Sequence, residues 1–253
     1  MRQRRVTGIE ERLAEYSDLI LKTGIRTEVT QRFDGTLPAA PEGDSAYVPT
    51  DRYPRWYQRR SEQFEIPAGY DRIYAEFGCG RGQFINSIAE KDPDGLYIGI
   101  EGCKTIVYKA IKKTKIAELK NVFYIDQFIN YASMAFEKES FAGIFLNFSD
   151  PWPKERHSER RLTAPAKALN YKRILKPDGF LALKTDNEAL FNYSLKVFEV
   201  AGYYIESSSR NLEAVSANTG IDVAANGKTT QTEYEQKFRA IGLPIYYFLA
   251  RKR

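Results

Sequence analysis

The stretch NFSDPWPKERHSERR, Asn147 to Arg161, holds the chain's one histidine, His157, among Lys154, Arg156, Arg160 and Arg161, directly behind Asp-Pro-Trp-Pro. Pro151 and Pro153 fix φ at two positions and bias the residues before them away from helix, so Asp150 and Trp152 are expected on a stiff segment. Asp150 there can accept from the donor edge of a base or from an ammonium group, and Trp152 either stacks on a base or packs beneath the loop. Three further carboxylates, Glu76, Glu101 and Asp126, each end a short β-rich run, and Gly78, Gly80 and Gly82 follow the first of them. Glycines there let backbone approach a ligand closely. Gln83, however, stands where the fingerprint G-x-G-x-x-G needs its third glycine, which argues against a pyrophosphate on the following helix.

These residues need elements to position them. IYAEF (73–77), LYIGIE (96–101), VFYID (122–126), FAGIFLNF (141–148) and FLALKT (180–185) read as strands, and YYIES and IYYFLAR as two later ones. The nearly continuous apolar run of FAGIFLNF fits a parallel strand covered on both faces. Helices are expected over FINSIAEK, TIVYKAIKKTKIAEL, Pro165 to Leu175 and Asn187 to Ala201, with KPDG as a turn. The alternation predicts an α/β, doubly wound, mostly parallel seven-stranded sheet whose ligands bind beyond the carboxyl ends of the strands. Glu76, Glu101 and Asp126 then converge on one sheet edge. A fixed carboxylate at Glu101 suits vicinal ribose hydroxyls, and an adenine amino group or an amino-acid ammonium suits the others; S-adenosylmethionine presents all of these and no phosphate. The alternative use of such acids is to cap the helices that follow.

A chain of 253 residues with 43% apolar composition fits one α/β domain with an appendage. We divide it into an N-terminal extension, 1–68, partly irregular and marked by Pro38, Pro41, Pro49 and Pro54, and a domain over 69–253. No apolar run approaches membrane-spanning length, and the arginine-bearing start lacks a signal-peptide core, so neither secretion nor a membrane partner is expected. Cys79 and Cys103 show no metal-ligand spacing, which points to a reducing cytoplasm and no metal. The net charge is +5, and the positive residues cluster: Lys104, Lys109, Lys112, Lys113, Lys115 and Lys120 around a single Glu118, and Arg52, Arg55, Arg59 and Arg60 among Tyr53, Trp56 and Tyr57. Nucleic acid is an expected partner; the alternative is an exposed helix face and a polar loop.

EFGCGRGQF, YIGIE, NFSDPWPKERH, KTDN and TEYEQKF, in this order, resemble the bacterial tRNA (guanine-N(7)-)-methyltransferase family over roughly residues 70–253, together with the MRxR start. The resemblance implies a class I (Rossmann-like) methyltransferase fold that uses S-adenosylmethionine to methylate a variable-loop guanosine of tRNA, as a monomer or a homodimer. On the family pattern Glu76, Glu101, Asp126 and Asp150 contact the cofactor beside Gly78 and Gly80, and Asp150 is also the catalytic residue. Lys154, Asp186, Thr232, Glu233, Tyr234 and Glu235 contact the substrate, and Arg156, His157, Arg160 and Arg161 meet RNA. Ser158 and Glu159 depart from a more basic version of that last segment.

Guanine N(7) carries a lone pair and no proton, so its methylation needs no general base, and alignment of the reacting atoms supplies much of the acceleration. Asp150 and Asp186 are expected to hold donors of guanine or cofactor, with Lys154 on a phosphate or the O(6) edge. His157 is expected to serve RNA contact or loop packing ahead of proton transfer, which this reaction does not need, and Thr232 to Glu235 either cap a helix or read the guanine. Two other readings share these residues: a class I methyltransferase acting on another RNA or a small amine, and a catalytically silent RNA-binding module.

Overall fold

A computed structural model describes residues 7–25, 62–128, 135–212 and 232–252. Nine strands and six α-helices run through them in chain order: α1 (Ile9–Ala14), β1 (Thr23–Ile25), β2 (Glu62–Phe64), β3 (Ile73–Phe77), α2 (Gln83–Lys91), β4 (Leu96–Ile100), α3 (Lys104–Ile116), β5 (Val122–Ile125), β6 (Phe141–Asn147), α4 (Pro165–Ile174), β7 (Leu175–Thr185), α5 (Glu188–Val200), β8 (Tyr203–Ser209), α6 (Glu233–Ala240) and β9 (Tyr246–Lys252). Short 3₁₀ turns stand at Ser17–Leu19 and Glu155–Arg160.

Seven strands form one sheet in the order β5-β4-β3-β6-β7-β9-β8. The pairs from β5 to β7 are parallel, whereas β9 runs antiparallel to both β7 and β8. The chain winds outward from β3 through β4 to β5, then returns to lay β6 against the other side of β3, so the strand order reverses between β3 and β6. In such a sheet the crevice beyond that switch point is where ligands bind. The seven-stranded, mostly parallel expectation holds.

Successive strand residues face opposite sides, and each side has its own core. Phe77, Ile98, Ile100, Tyr171, Ile174 and Phe198 fill the side under α4 and α5. Phe84, Ile88, Tyr97, Val107, Ile111 and Tyr124 fill the side under α2 and α3. Within the second core Asn86, Thr114 and Tyr124 close a buried polar triad, with Thr114 Oγ1 2.9 Å from Asn86 Oδ1 and 2.8 Å from the Tyr124 hydroxyl.

The expected KPDG turn lies inside the span of β7. Asp178 takes a left-handed φ of 59°, and the register slips between the pairs Phe141–Leu175 and Gly143–Phe180, so the turn residues form an irregularity in a strand that pairs on both sides of it. The described part of the 1–68 extension packs on the sheet: Leu13 and Leu19 join one core, Leu21 and Phe64 the other, and Leu21 N–H donates to the Tyr124 carbonyl at 2.9 Å. The basic, aromatic stretch from Arg52 to Arg60 lies outside the described residues, as do positions 213–231 of the polar stretch that runs from Ser207 to Gln231.

Candidate active site

The loop after β3 is built from left-handed backbone at three glycines, with φ of 81° at Gly78, 54° at Gly80 and 71° at Gly82. The three serve different ends. A Cβ on Gly82 would come within 2.8 Å of the Tyr124 hydroxyl and 2.9 Å of the Ala110 Cβ, so this glycine lets α2 start hard against α3. A Cβ on Gly80 would meet nothing within 4 Å, which leaves open space above the loop.

Glu76, the fourth residue of β3, is buried at 2% exposure. Its Oε1 accepts from Asn147 Nδ2 at 2.9 Å, across the switch point, while Oε2 is buried without a hydrogen-bond partner. Burial pushes the carboxyl up to about 8, against the opposing pull of Asn147, the Ile85 backbone and Lys184. Glu101 follows β4, and its Oε1 accepts from Cys103 N–H at 2.9 Å. Burial raises its pKa as well; the backbone N–H groups of Cys103, Gly80 and Gly102 pull it down, and the Asp150 charge adds to the rise. Asp126 follows β5, 3.7 Å from Lys104 Nζ. The strands thus bring Glu76, Glu101, Asp126, Asp150 and the Gly78 to Gly80 loop to one end of the sheet.

The loop after β6 is stiff for more reasons than its prolines. Phe148 and Trp152 both take left-handed φ, 49° and 42°, an uncommon state for side chains of that bulk and one that the surroundings must hold. Arg161 does so for Trp152. It is buried at 8% exposure, and its guanidinium donates to the Pro151 carbonyl at 3.2 Å and the Trp152 carbonyl at 3.2 and 3.3 Å while lying 4.3 Å over the Tyr193 ring. Lys167 of α4 ties the far end, donating to the carbonyls of Glu159 and Arg161 at 2.6 and 2.9 Å. Trp152 packs within the loop: His157 meets it edge-on at 5.7 Å and the Arg160 guanidinium lies 5.0 Å over its ring. Asp150, Lys154 and Arg156 are exposed on this frame.

Arg161 and Glu235, both expected at the substrate, are buried. Arg161 has Nε and Nη2 donating to loop carbonyls, so it is not set out on the surface as the phosphate reading pictures it. Glu235 is not open to a guanine edge: it is fully buried, Lys184 Nζ donates to its Oε2 at 2.9 Å, and Arg239 donates to its Oε1 at 2.7 and 3.0 Å. Thr232 takes the other use weighed for it. It is the N-cap of α6, its Oγ1 accepting from Glu235 N–H at 2.9 Å, a contact of about 1 kcal/mol. Glu233 pairs with Lys113 at 2.6 Å and lies 3.9 Å from Arg81 of the glycine loop, so α6 is fastened to the glycine-loop side of the crevice. Tyr234 is exposed, ring against Phe148 at 6.3 Å, and Asp186 is exposed beyond β7.

Residues 71–248 match a family model described as "Putative methyltransferase". The chain is 37% identical over 206 residues to the tRNA (guanine-N(7)-)-methyltransferase of Listeria innocua, a match covering 79% of this chain and 92% of that one. It is 39% identical over 174 residues to the enzyme of the same name from Bacillus subtilis, covering 69% and 78%. The chain belongs to the tRNA (guanine-N(7)-)-methyltransferase family. Among solved structures, the 16S rRNA methyltransferase KamB superposes with a TM-score of 0.53 at 12% identity, over 72% of this chain and 88% of that one. A SAM-dependent methyltransferase from Aquifex aeolicus gives 0.50 at 14%, over 74% and 85%. The fold is that of the class I methyltransferases.

Family membership gives meaning to contacts that local sequence reading missed. Asn147, Lys184 and Arg161 read as a strand end, a strand residue and one of several loop cations. Asn147 holds Glu76, Lys184 holds Glu235, and Arg161 holds the loop that carries Asp150. The signal available was their charge or polarity inside or beside otherwise apolar runs.

Proposed function

We propose that this chain transfers the methyl group of S-adenosylmethionine to N(7) of a variable-loop guanosine in tRNA, that residues 69–253 carry the chemistry, and that it works in the cytoplasm. Among the described residues no helix is long and apolar enough to cross a membrane. The observation that carries the chemical reading is the buried, unpartnered Oε2 of Glu76 at the switch point, beside the glycine loop whose Gly80 faces open space. A buried acceptor without a donor is costly, and a ligand ammonium or amino group removes that cost.

The residues present fit the cofactor. Glu76 would hold its ammonium, Glu101 its ribose hydroxyls and Asp126 its adenine amino group, with Gly78 and Gly80 giving room for close approach. The cofactor supplies an electrophilic methyl group on a sulfonium centre. Asp150, placed past the switch point near enough to Glu101 to be felt there, stabilises the positive charge that methylation leaves on the imidazole ring of the guanine. No side chain has to remove a proton from N(7), so the role of the loop is to place Asp150 and Lys154. Exposed Lys154, Arg156 and Arg160 face the substrate backbone. Thr232, Glu233 and Glu235 act by fixing α6, and Asp186 and Tyr234 stand at the mouth of the crevice.

The test is methyl transfer to unmodified tRNA with the product nucleoside identified. N(7)-methylguanosine supports the reading, whereas another methylated product or binding without turnover overturns it. Asp150→Asn is expected to lower turnover at saturating tRNA and cofactor by about 10²-fold or more; full turnover would end the electrostatic role.

A further inference from the structure

Helix α1 reaches into the cofactor side of the crevice through one residue. Lys104, the first residue of α3, donates to both carboxylate oxygens of Glu10, at 2.8 and 2.7 Å. The same ammonium makes a second, longer ion pair with Asp126 Oδ2 at 3.7 Å. Lys104 sits at the amino end of α3, where no acidic residue stands in the first turn and the helix dipole disfavours a cation. It needs a counter-charge, and two compete for it. Glu10 currently wins. Helix α1 is held in place to do so by the Tyr16 ring edge-on to Tyr108 at 6.0 Å, and just beyond it Asp18 pairs with Lys115 at 2.6 Å.

We propose that Glu10 is a positioning residue for the cofactor pocket: by engaging Lys104 with both oxygens at closer range, it holds the ammonium to a long contact with Asp126 and leaves that carboxylate able to accept from the cofactor's base. The inference rests on the reading that Asp126 receives the adenine amino group. Without Glu10, a short swing of a flexible side chain tightens the 3.7 Å pair of Lys104 Nζ and Asp126 into a direct hydrogen bond, and the ligand must then displace it. Glu10 therefore acts through Lys104, and its loss should be harmless when Lys104 is also gone.

The test is the affinity of the full chain for S-adenosylhomocysteine by calorimetry, with each variant's thermal melt checked alongside. Glu10→Gln is expected to weaken binding on the order of three- to tenfold, the scale of one solvent-facing ion pair. Lys104→Met should bind like the parent, and Glu10→Gln/Lys104→Met should return to within about twofold of it. Parent-like binding by Glu10→Gln overturns the proposal, and so does a double variant as weak as the single, since Glu10 would then act by packing α1. Weak binding by Lys104→Met overturns it too, because Lys104 would itself be a ligand contact. Asp126→Ala separates the two layers: unchanged affinity removes the underlying reading of Asp126, whereas weakened affinity beside a parent-like Glu10→Gln removes this inference alone.

Discussion

Lys184 Nζ donates to Glu235 Oε2 across 2.9 Å, with 2% and 0% of the two side chains exposed. Replacing Glu235 takes its carboxylate away from the buried Lys184 ammonium, a cost of about 3–5 kcal/mol. Glu235→Gln should therefore lower the melting temperature by roughly 10 °C. Lys184→Met/Glu235→Leu should recover most of that loss. If Glu235→Gln melts like the parent and instead raises KM for tRNA, Glu235 is a substrate contact after all.

Glu76 sets a pH dependence of defined sign. Its carboxyl titrates near 8 in the folded protein, against 4.5 as the ordinary value. Between those values the folded state holds the proton more tightly than the unfolded state, so this group's contribution to stability falls as pH rises through that window. Urea midpoints of the cofactor-free protein at pH 5, 7 and 9 should show the decline, and Glu76→Gln should flatten it. Cofactor affinity should move the other way, rising with pH up to about 8, because an ammonium binds the ionised form. A pH-independent affinity in the parent would remove Glu76 from the ammonium site.

The arginines of the DPWP loop should separate into two kinds. Arg161→Ala removes the donors from the part-buried carbonyls of Pro151 and Trp152 and should cost about 1–3 kcal/mol of stability, together with a fall in kcat. Arg156→Ala should leave stability within about 0.5 kcal/mol and lower the log–log salt slope of tRNA binding by about one. Melting curves and tRNA titrations at several salt concentrations measure both. An Arg161→Ala variant of parental stability with a reduced salt slope would reverse the assignment.

Alanine at the two loop glycines should fail differently. Both positions have positive φ and share a backbone cost of about 1–2 kcal/mol. Gly82→Ala adds a collision with Tyr124 and Ala110 and should be the less stable protein. Gly80→Ala fills only open space, so its larger loss should appear in cofactor affinity. Equal affinity in Gly80→Ala and the parent would mean that no ligand lies over that glycine.

The fold was legible where burial leaves a local trace. Parallel strands covered on both faces show as apolar runs, so β3 to β6 stand where the sequence puts them. Pairings between distant residues leave no such trace. Nothing near Tyr246 says that β9 enters between β7 and β8, and Lys184 and Glu235, 51 residues apart, look like ordinary polar positions until the fold buries them together. Helix α6 is similarly disguised, because EYEQKFRA carries few apolar residues and reads as a contact motif. In the DPWP loop the prolines announced stiffness. The fork that enforces it came from Arg161, outwardly one more charge in a basic run.

The placement of β9 orders the birth of the protein. β8 leaves the ribosome well before β9, yet among the described residues its only sheet neighbour is β9, and the Glu235 partner of Lys184 also arrives late. A nascent chain halted after α5 would carry a β7 lacking one neighbour and a lysine facing the interior without its counter-ion. The half of the sheet that bears Glu76, Glu101 and Asp126 can pair beforehand, since β3 to β7 need nothing from downstream. Synthesis thus delivers a cofactor-side half first and fits the strand that closes the other half afterwards, by insertion.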